Sequence, residues 1–189
     1  IIFGSLFFPP FFYFSPILWG SIIPFRSLSG KSLLASLLGI ITPYWFLFGY
    51  CFYFDQMPLF LAPLQEMILF YPIDYGHLTT SEIASWGTIT LLLIISGFHY
   101  WQMSYMDKTR TRIYHSFLVI VGLYVTLWSI LQPNYMRELM VIELICASFL
   151  SGHLFTLTRN RFSGIFFIVT FITIILLTIF NLWMQFFNF

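Results

Sequence analysis

A chain of 189 residues that is 59% hydrophobic and 8% charged does not fold as a water-soluble domain. Soluble domains carry about a quarter of their residues as charges, and so short a chain cannot hide this much apolar surface in a core. The formal net charge of +1 and the lack of a basic stripe exclude an electrostatic nucleic-acid partner. The partner that the composition does call for is the lipid bilayer.

A helix needs about 20 apolar residues to cross the hydrocarbon core. Six stretches meet this, at 1–24, 33–54, 83–105, 113–131, 139–157 and 163–187. In lipid every backbone polar group needs an internal partner, so helices are the default. The predicted fold class is therefore all-α: a polytopic transmembrane helix bundle of about six spans, read as one domain over 1–189. The chain opens on Ile1 inside a hydrophobic run. No charged n-region or small-residue cleavage site precedes that run, so it is not read as a signal peptide. Sequence upstream of Ile1 is expected, and the chain reads as the C-terminal part of a longer one.

The first span carries Pro9 and Pro10 side by side, with Pro16 beyond them. A proline inside a helix removes a hydrogen bond and clashes one turn back. Three readings stay open: a simple kink, a break that lines a substrate cavity, or a span that starts upstream and leaves Pro9 near the interface. In the second span Gly39 and Pro43 form a pairing that can bend a helix. The second connection, 55–82, is the longest and holds four of the seven acidic residues. Within it "PLFLAPLQEMILFYP" is too short to cross a bilayer. Its apolar residues recur at helical spacing, with Gln65 and Glu66 on the other face. This predicts an interfacial helix lying on the membrane. The third span then starts at "TTSEIASW", where Thr79 or Thr80 can cap and Glu82 falls in the first turn.

The connections set the topology. Arg26 and Lys31, then Lys108, Arg110 and Arg112, then Arg159 and Arg161 make up seven of the eight basic residues. They fall in the first, third and fifth connections. Positive charge stays on the cytoplasmic side. The loops at 26–32, 106–112 and 158–162 are thus predicted to be cytoplasmic. Both ends of the segment face the other side, the periplasm of a Gram-negative cell, and the membrane is the bacterial inner (cytoplasmic) membrane.

Among apolar neighbours within the spans, Glu143 is the only carboxylate, and ionisable groups at such depth are costly and often functional. Arg137 and Glu138 precede it. Two readings compete: a carboxylate near the interface paired with Arg137 or a neighbouring helix, or an outer site in which Arg137 and Glu143 hold an anionic or sugar headgroup, with Arg137 on phosphate. His99, His115 and His153 fall near cytoplasmic span ends and share no helix at metal-binding spacing, so they read as interfacial histidines. His77 lies in the "DYGH" run, which reads as a turn. Cys51 and Cys146 sit inside apolar runs and read as small buried hydrophobes. No metal site and no cofactor is called for. Trp19, Tyr44, Trp45, Trp86, Tyr100, Trp101, Trp128 and Trp183 cluster at span ends and read mostly as belt anchors.

Some blocks are more specific than composition. Gly4, Ser5, Leu6, Phe7, Pro10, Arg26, Ser27, Leu38, Gly39, Thr42, Pro43 and Tyr44 resemble a domain-of-unknown-function family of integral membrane proteins of Bacteroidetes. The basic turn at Lys108, Arg110 and Arg112 and the stretch "QPNYMRELMVIELICASFLSGHLF" are similar to it too. The resemblance implies a hydrophobic N-terminal half before Ile1, and no activity. A weaker similarity, in the Gly/Pro pattern of the first helices and in "PNYMREL", is to GT-C type glycosyltransferases. That likeness implies transfer of a sugar from a polyprenyl-phosphate carrier at the outer face, with the catalytic acid in a loop upstream of Ile1. The leading expectation is an accessory, cell-envelope membrane protein with a membrane-protein partner or a lipid-linked substrate. A glycosyltransferase fragment is the alternative, and a transporter comes third.

Overall fold

The computed structural model describes residues 9–22, 29–68, 72–157 and 161–187. Among them there are helices and no strand, so the class is all-α as the composition dictates. The helices are α1 (Ser15–Ile22), α2 (Gly30–Tyr53), α3 (Met57–Ile68), α4 (Thr80–Met103), α5 (Thr109–Leu131), α6 (Met136–Leu157) and α7 (Arg161–Phe187). Five stretches are long and apolar enough to span a bilayer: Gly30–Tyr53, Thr80–Met103, Thr109–Leu131, Pro133–Thr156 and Ser163–Met184. At 1.5 Å per residue such helices reach roughly 33–36 Å, against a hydrocarbon core of about 30 Å. The protein is a multi-pass membrane protein. Its chain divides into two compact units, 1–71 and 72–189.

In the first unit the proline pair opens a 3₁₀ helix, Pro9–Phe14, that runs into α1. Residues 1–8 of the predicted first span lie outside the described residues, as do 23–28 of the first connection and 158–160 of the fifth. Ser29 caps α2 in a reciprocal box. Its hydroxyl accepts from Ser32 N–H and the Ser32 hydroxyl accepts from Ser29 N–H, both at 3.1 Å. Helix α2 continues through Pro43, which is buried. Thr42 Oγ1 meanwhile bonds Leu38 O at 2.6 Å, one turn back. Asp55, at φ 54°, turns the chain from α2 into α3; Asp is among the few residues that tolerate this left-handed conformation. Helix α3 is the short amphipathic helix expected in the second connection, and it packs on α2 through Phe60 edge-on to Phe48 at 5.4 Å.

The second unit is built on α6, which packs extensively against both α4 and α5. Glycine decides the closest approach. A Cβ at Gly122 of α5 would stand 2.4 Å from Leu93 Cδ1 and 3.4 Å from Cys146 Cβ. Leu93, Cys146 and Ala147 form the dry centre of this unit. Helix α7 is the most apolar, with a mean hydropathy of 2.7 and none of its spanning window buried. Without water there is no penalty for such a face, which lipid covers.

Side-chain bonds fix the helix directions. Tyr100 near the end of α4 donates to Arg112 O at the start of α5 (2.7 Å) and lies 2.8 Å from Ser116 Oγ. Arg137 at the start of α6 pairs with Glu82 at the start of α4. Asn181 near the end of α7 donates to Ser85 at 2.9 Å. The second unit therefore has an Arg137 end, where α4 and α6 begin and α7 finishes. At its opposite end α5 begins, with Lys108, Arg110 and Arg112.

Candidate functional site

At the Arg137 end a cavity of about 640 Å³ opens between α4, α6 and α7. Its polar lining is Thr79, Ser81, Glu82, Ser85, Arg137 and Asn181, and Met140 and Met184 complete the wall. Thr79 is the N-cap of α4. Its hydroxyl accepts from Glu82 N–H at 3.4 Å and its own N–H donates to Glu82 Oε2 at 2.9 Å. This box holds Glu82 in place, and Arg137 Nε bonds its other oxygen. Glu82 is mostly shielded, whereas the Arg137 side chain is 68% exposed. The ion pair uses only Nε, so the terminal amino groups of Arg137 have no partner among the described residues. Asn181 gives Nδ2 to Ser85, while its Oδ1 is buried without a hydrogen bond.

Glu143 lies elsewhere. Its side chain is fully buried between α4, α5 and α6. Thr90 and Thr126 each donate to Oε1 at 2.7 Å. The Trp86 side chain bears on the same carboxylate, while Oε2 and the indole nitrogen lack hydrogen bonds of ordinary geometry. Thr126 Oγ1 is also 3.0 Å from Gly122 O, so one hydroxyl is shared between two acceptors. Among the described residues no ion pair engages Glu143. The carboxylate ties three helices together and is not open to a ligand. Arg137 and Glu143 thus do not share a site.

A second polar cluster sits at the opposite end. Asp107 Oδ2 lies 2.9 Å from His153 Nε2, with both side chains buried and the ring nitrogen out of alignment for a hydrogen bond. The His115 ring is 4.3 Å from that of His153 and stacks on Tyr100 at 5.7 Å. His115 Nδ1 faces Thr111 O at 2.9 Å; a carbonyl only accepts, so Nδ1 carries the hydrogen. Both His99 nitrogens are buried without a partner. The histidines that read separately in the sequence are therefore neighbours in the fold. Among the described residues no group of three or more His, Cys, Asp or Glu is arranged to hold a metal ion.

Other residues fall as the sequence suggests or correct it. Both cysteines are buried and free. Trp45, Trp101 and Trp183 are exposed, as belt residues should be, but Tyr100 and Trp128 are buried and serve the interior. Asp74 Oδ1 accepts from Gly76 N–H at 2.8 Å, closing the turn in "DYGH", and Tyr75 donates to Ile130 O at 2.6 Å. Sequence reading missed Glu82 as the partner of Arg137. The signal was present, since a capping-box acid and an arginine at the starts of two alternate spans must lie on one side of the membrane. Asn181 was missed too, although it is a lone amide in a very apolar helix. Thr90 and Thr126 carried no signal.

Comparison with protein-family models, with curated proteins and with solved structures finds no match.

Proposed function

We propose that this chain is a multi-pass protein of the bacterial cytoplasmic membrane, with an accessory role in the cell envelope, and that it holds the phosphate of a lipid headgroup on Arg137. The observation that carries the reading is the 640 Å³ cavity with Arg137 in its wall and two guanidinium nitrogens uncommitted. Arginine is suited to phosphate because its planar fork can give two parallel, charge-assisted hydrogen bonds. Lys108, Arg110 and Arg112 stand at the other end of the unit, which the positive-inside rule assigns to the cytoplasm. The cavity then opens at the outer headgroup level.

A carrier-lipid glycosyltransferase would use the same cation on the phosphate of its polyprenyl carrier. The exposed guanidinium beside an outer cavity is what favours that second reading. A transport pathway gains no such support. Between Glu143 and the His153 cluster, Leu93, Cys146, Ala147 and Leu150 are packed closed.

The test is phosphorus analysis of lipid retained by the full chain purified in a neutral detergent. About one phosphate per chain is expected for the native protein, and a value near zero for Arg137→Ala. Equal phosphorus in the two proteins would overturn the proposal.

A further inference from the structure

The headgroup cavity does not end in protein. It shares Ser85 and Asn181 with a crevice of about 370 Å³ that runs between α4 and α7. Leu92, Leu144, Phe166 and Leu177 line this crevice. Its threonines count as apolar. Thr88, Thr170, Thr173 and Thr178 each donate back to their own helix, to Ala84, Phe166, Val169 and Ile174 carbonyls at 2.8–2.9 Å. Hydroxyls spent in this way leave methyl groups for a neighbour. A polar chamber at the end of the helices thus continues into an apolar slot along them. That is the shape of an amphiphile standing in the membrane.

The chamber also has a charge pattern. Among the described residues its cation, Arg137, is matched by one acid, Glu82, and its remaining buried acceptor is Asn181 Oδ1. A headgroup with several negative charges would meet a single cation that Glu82 already partly neutralises. A headgroup with one phosphate and one primary ammonium meets a donor set and an acceptor set. Both Glu82 oxygens already accept one bond, and each has a second lone pair for an ammonium hydrogen. A trimethylammonium group has no hydrogen to give and needs an aromatic cage, and among the described residues no aromatic side chain lines this chamber.

We infer that the second unit binds one zwitterionic phospholipid with a phosphoethanolamine headgroup, its phosphate on Arg137, its ammonium on Glu82 and Asn181, and one acyl chain in the crevice between α4 and α7. This rests on the headgroup reading above and goes further, since it names the ligand class and its sideways route from the bilayer.

The test is native mass spectrometry of the full chain released from detergent with equal amounts of phosphatidylethanolamine, phosphatidylcholine and phosphatidylglycerol. The native protein should retain phosphatidylethanolamine about tenfold over either competitor (about 1.4 kcal/mol). Glu82→Gln keeps a capping-box side chain and should bring that preference over phosphatidylcholine to about onefold. Thr173→Trp should block the crevice and lose the lipid, while a melting temperature near that of the native chain shows that it still folds. Soluble glycerophosphoethanolamine should compete weakly. Retention of all three lipids alike, with dependence on Arg137, would overturn this inference and leave the phosphate reading standing. Retention unaffected by Arg137→Ala, which is annular lipid only, would overturn both. Competition by the soluble headgroup as strong as that by the lipid would overturn the crevice.

Discussion

Arg137 pairs with Glu82, on another helix, and not with Glu143 further along its own. The pair joins the starts of α4 and α6, and its exposed side lets salt and water weaken it. A double-mutant cycle with Arg137→Ala and Glu82→Gln, read by thermal unfolding in detergent, should give a coupling of about 0.2–1 kcal/mol. A coupling of zero would mean that the two residues meet without holding the helices.

Glu143 should behave as a structural acceptor. Glu143→Gln keeps an oxygen for Thr90 and Thr126 and should cost under about 1 kcal/mol. Glu143→Leu strands the Thr90 hydroxyl, leaves Thr126 only its bond to Gly122 O, and should cost about 1–3 kcal/mol. Thr126→Val should lose one interhelical bond, worth roughly 0.6 kcal/mol on average in membranes. Chemical unfolding in mixed micelles ranks the three; a Gln variant as unstable as the Leu variant would show that the charge itself is required.

Gly122 and Gly97 make an internal control. A methyl at Gly122 collides with the buried side chain of Leu93. Gly122→Ala should destabilise by about 1–3 kcal/mol. A methyl at Gly97 meets Val119 at 3.9 Å, an ordinary contact, and Gly97→Ala should be neutral or stabilising by up to about 1 kcal/mol. Melting temperatures of the two variants should therefore move in different directions, and equal losses would refute the packing argument.

Orientation is open to a labelling test. Lys108 and Asn134 are exposed at opposite ends of the second unit. In a background of Cys51→Ala and Cys146→Ala, Asn134→Cys should react with an impermeant maleimide in intact cells. Lys108→Cys should react only after lysis. The reverse pattern would place the headgroup cavity on the cytoplasmic side.

The sequence by itself determined the solvent, the class and the capped start of α4. Runs long enough to cross a bilayer leave helix as the only backbone solution. The box at Thr79 and Glu82 could be read because a cap is a local bond between near neighbours. Alternating basic connections set an expectation for the direction of each span, which the labelling test decides, since charge near a helix end acts locally. Which face of each span packs inward was not legible. In water an amphipathic stripe marks the buried face, but a lipid-bounded helix is apolar all round and carries no such contrast. The tertiary structure alone therefore decided that Arg137 meets Glu82, that Glu143 faces two threonines, that His99, His115 and His153 converge, and that Gly122 admits Leu93. It also placed Asn181 where a polar chamber becomes an apolar crevice. Each of these depends on the rotation of one helix against another. Close packing and a few interhelical hydrogen bonds set that rotation, and neither leaves a period in the sequence.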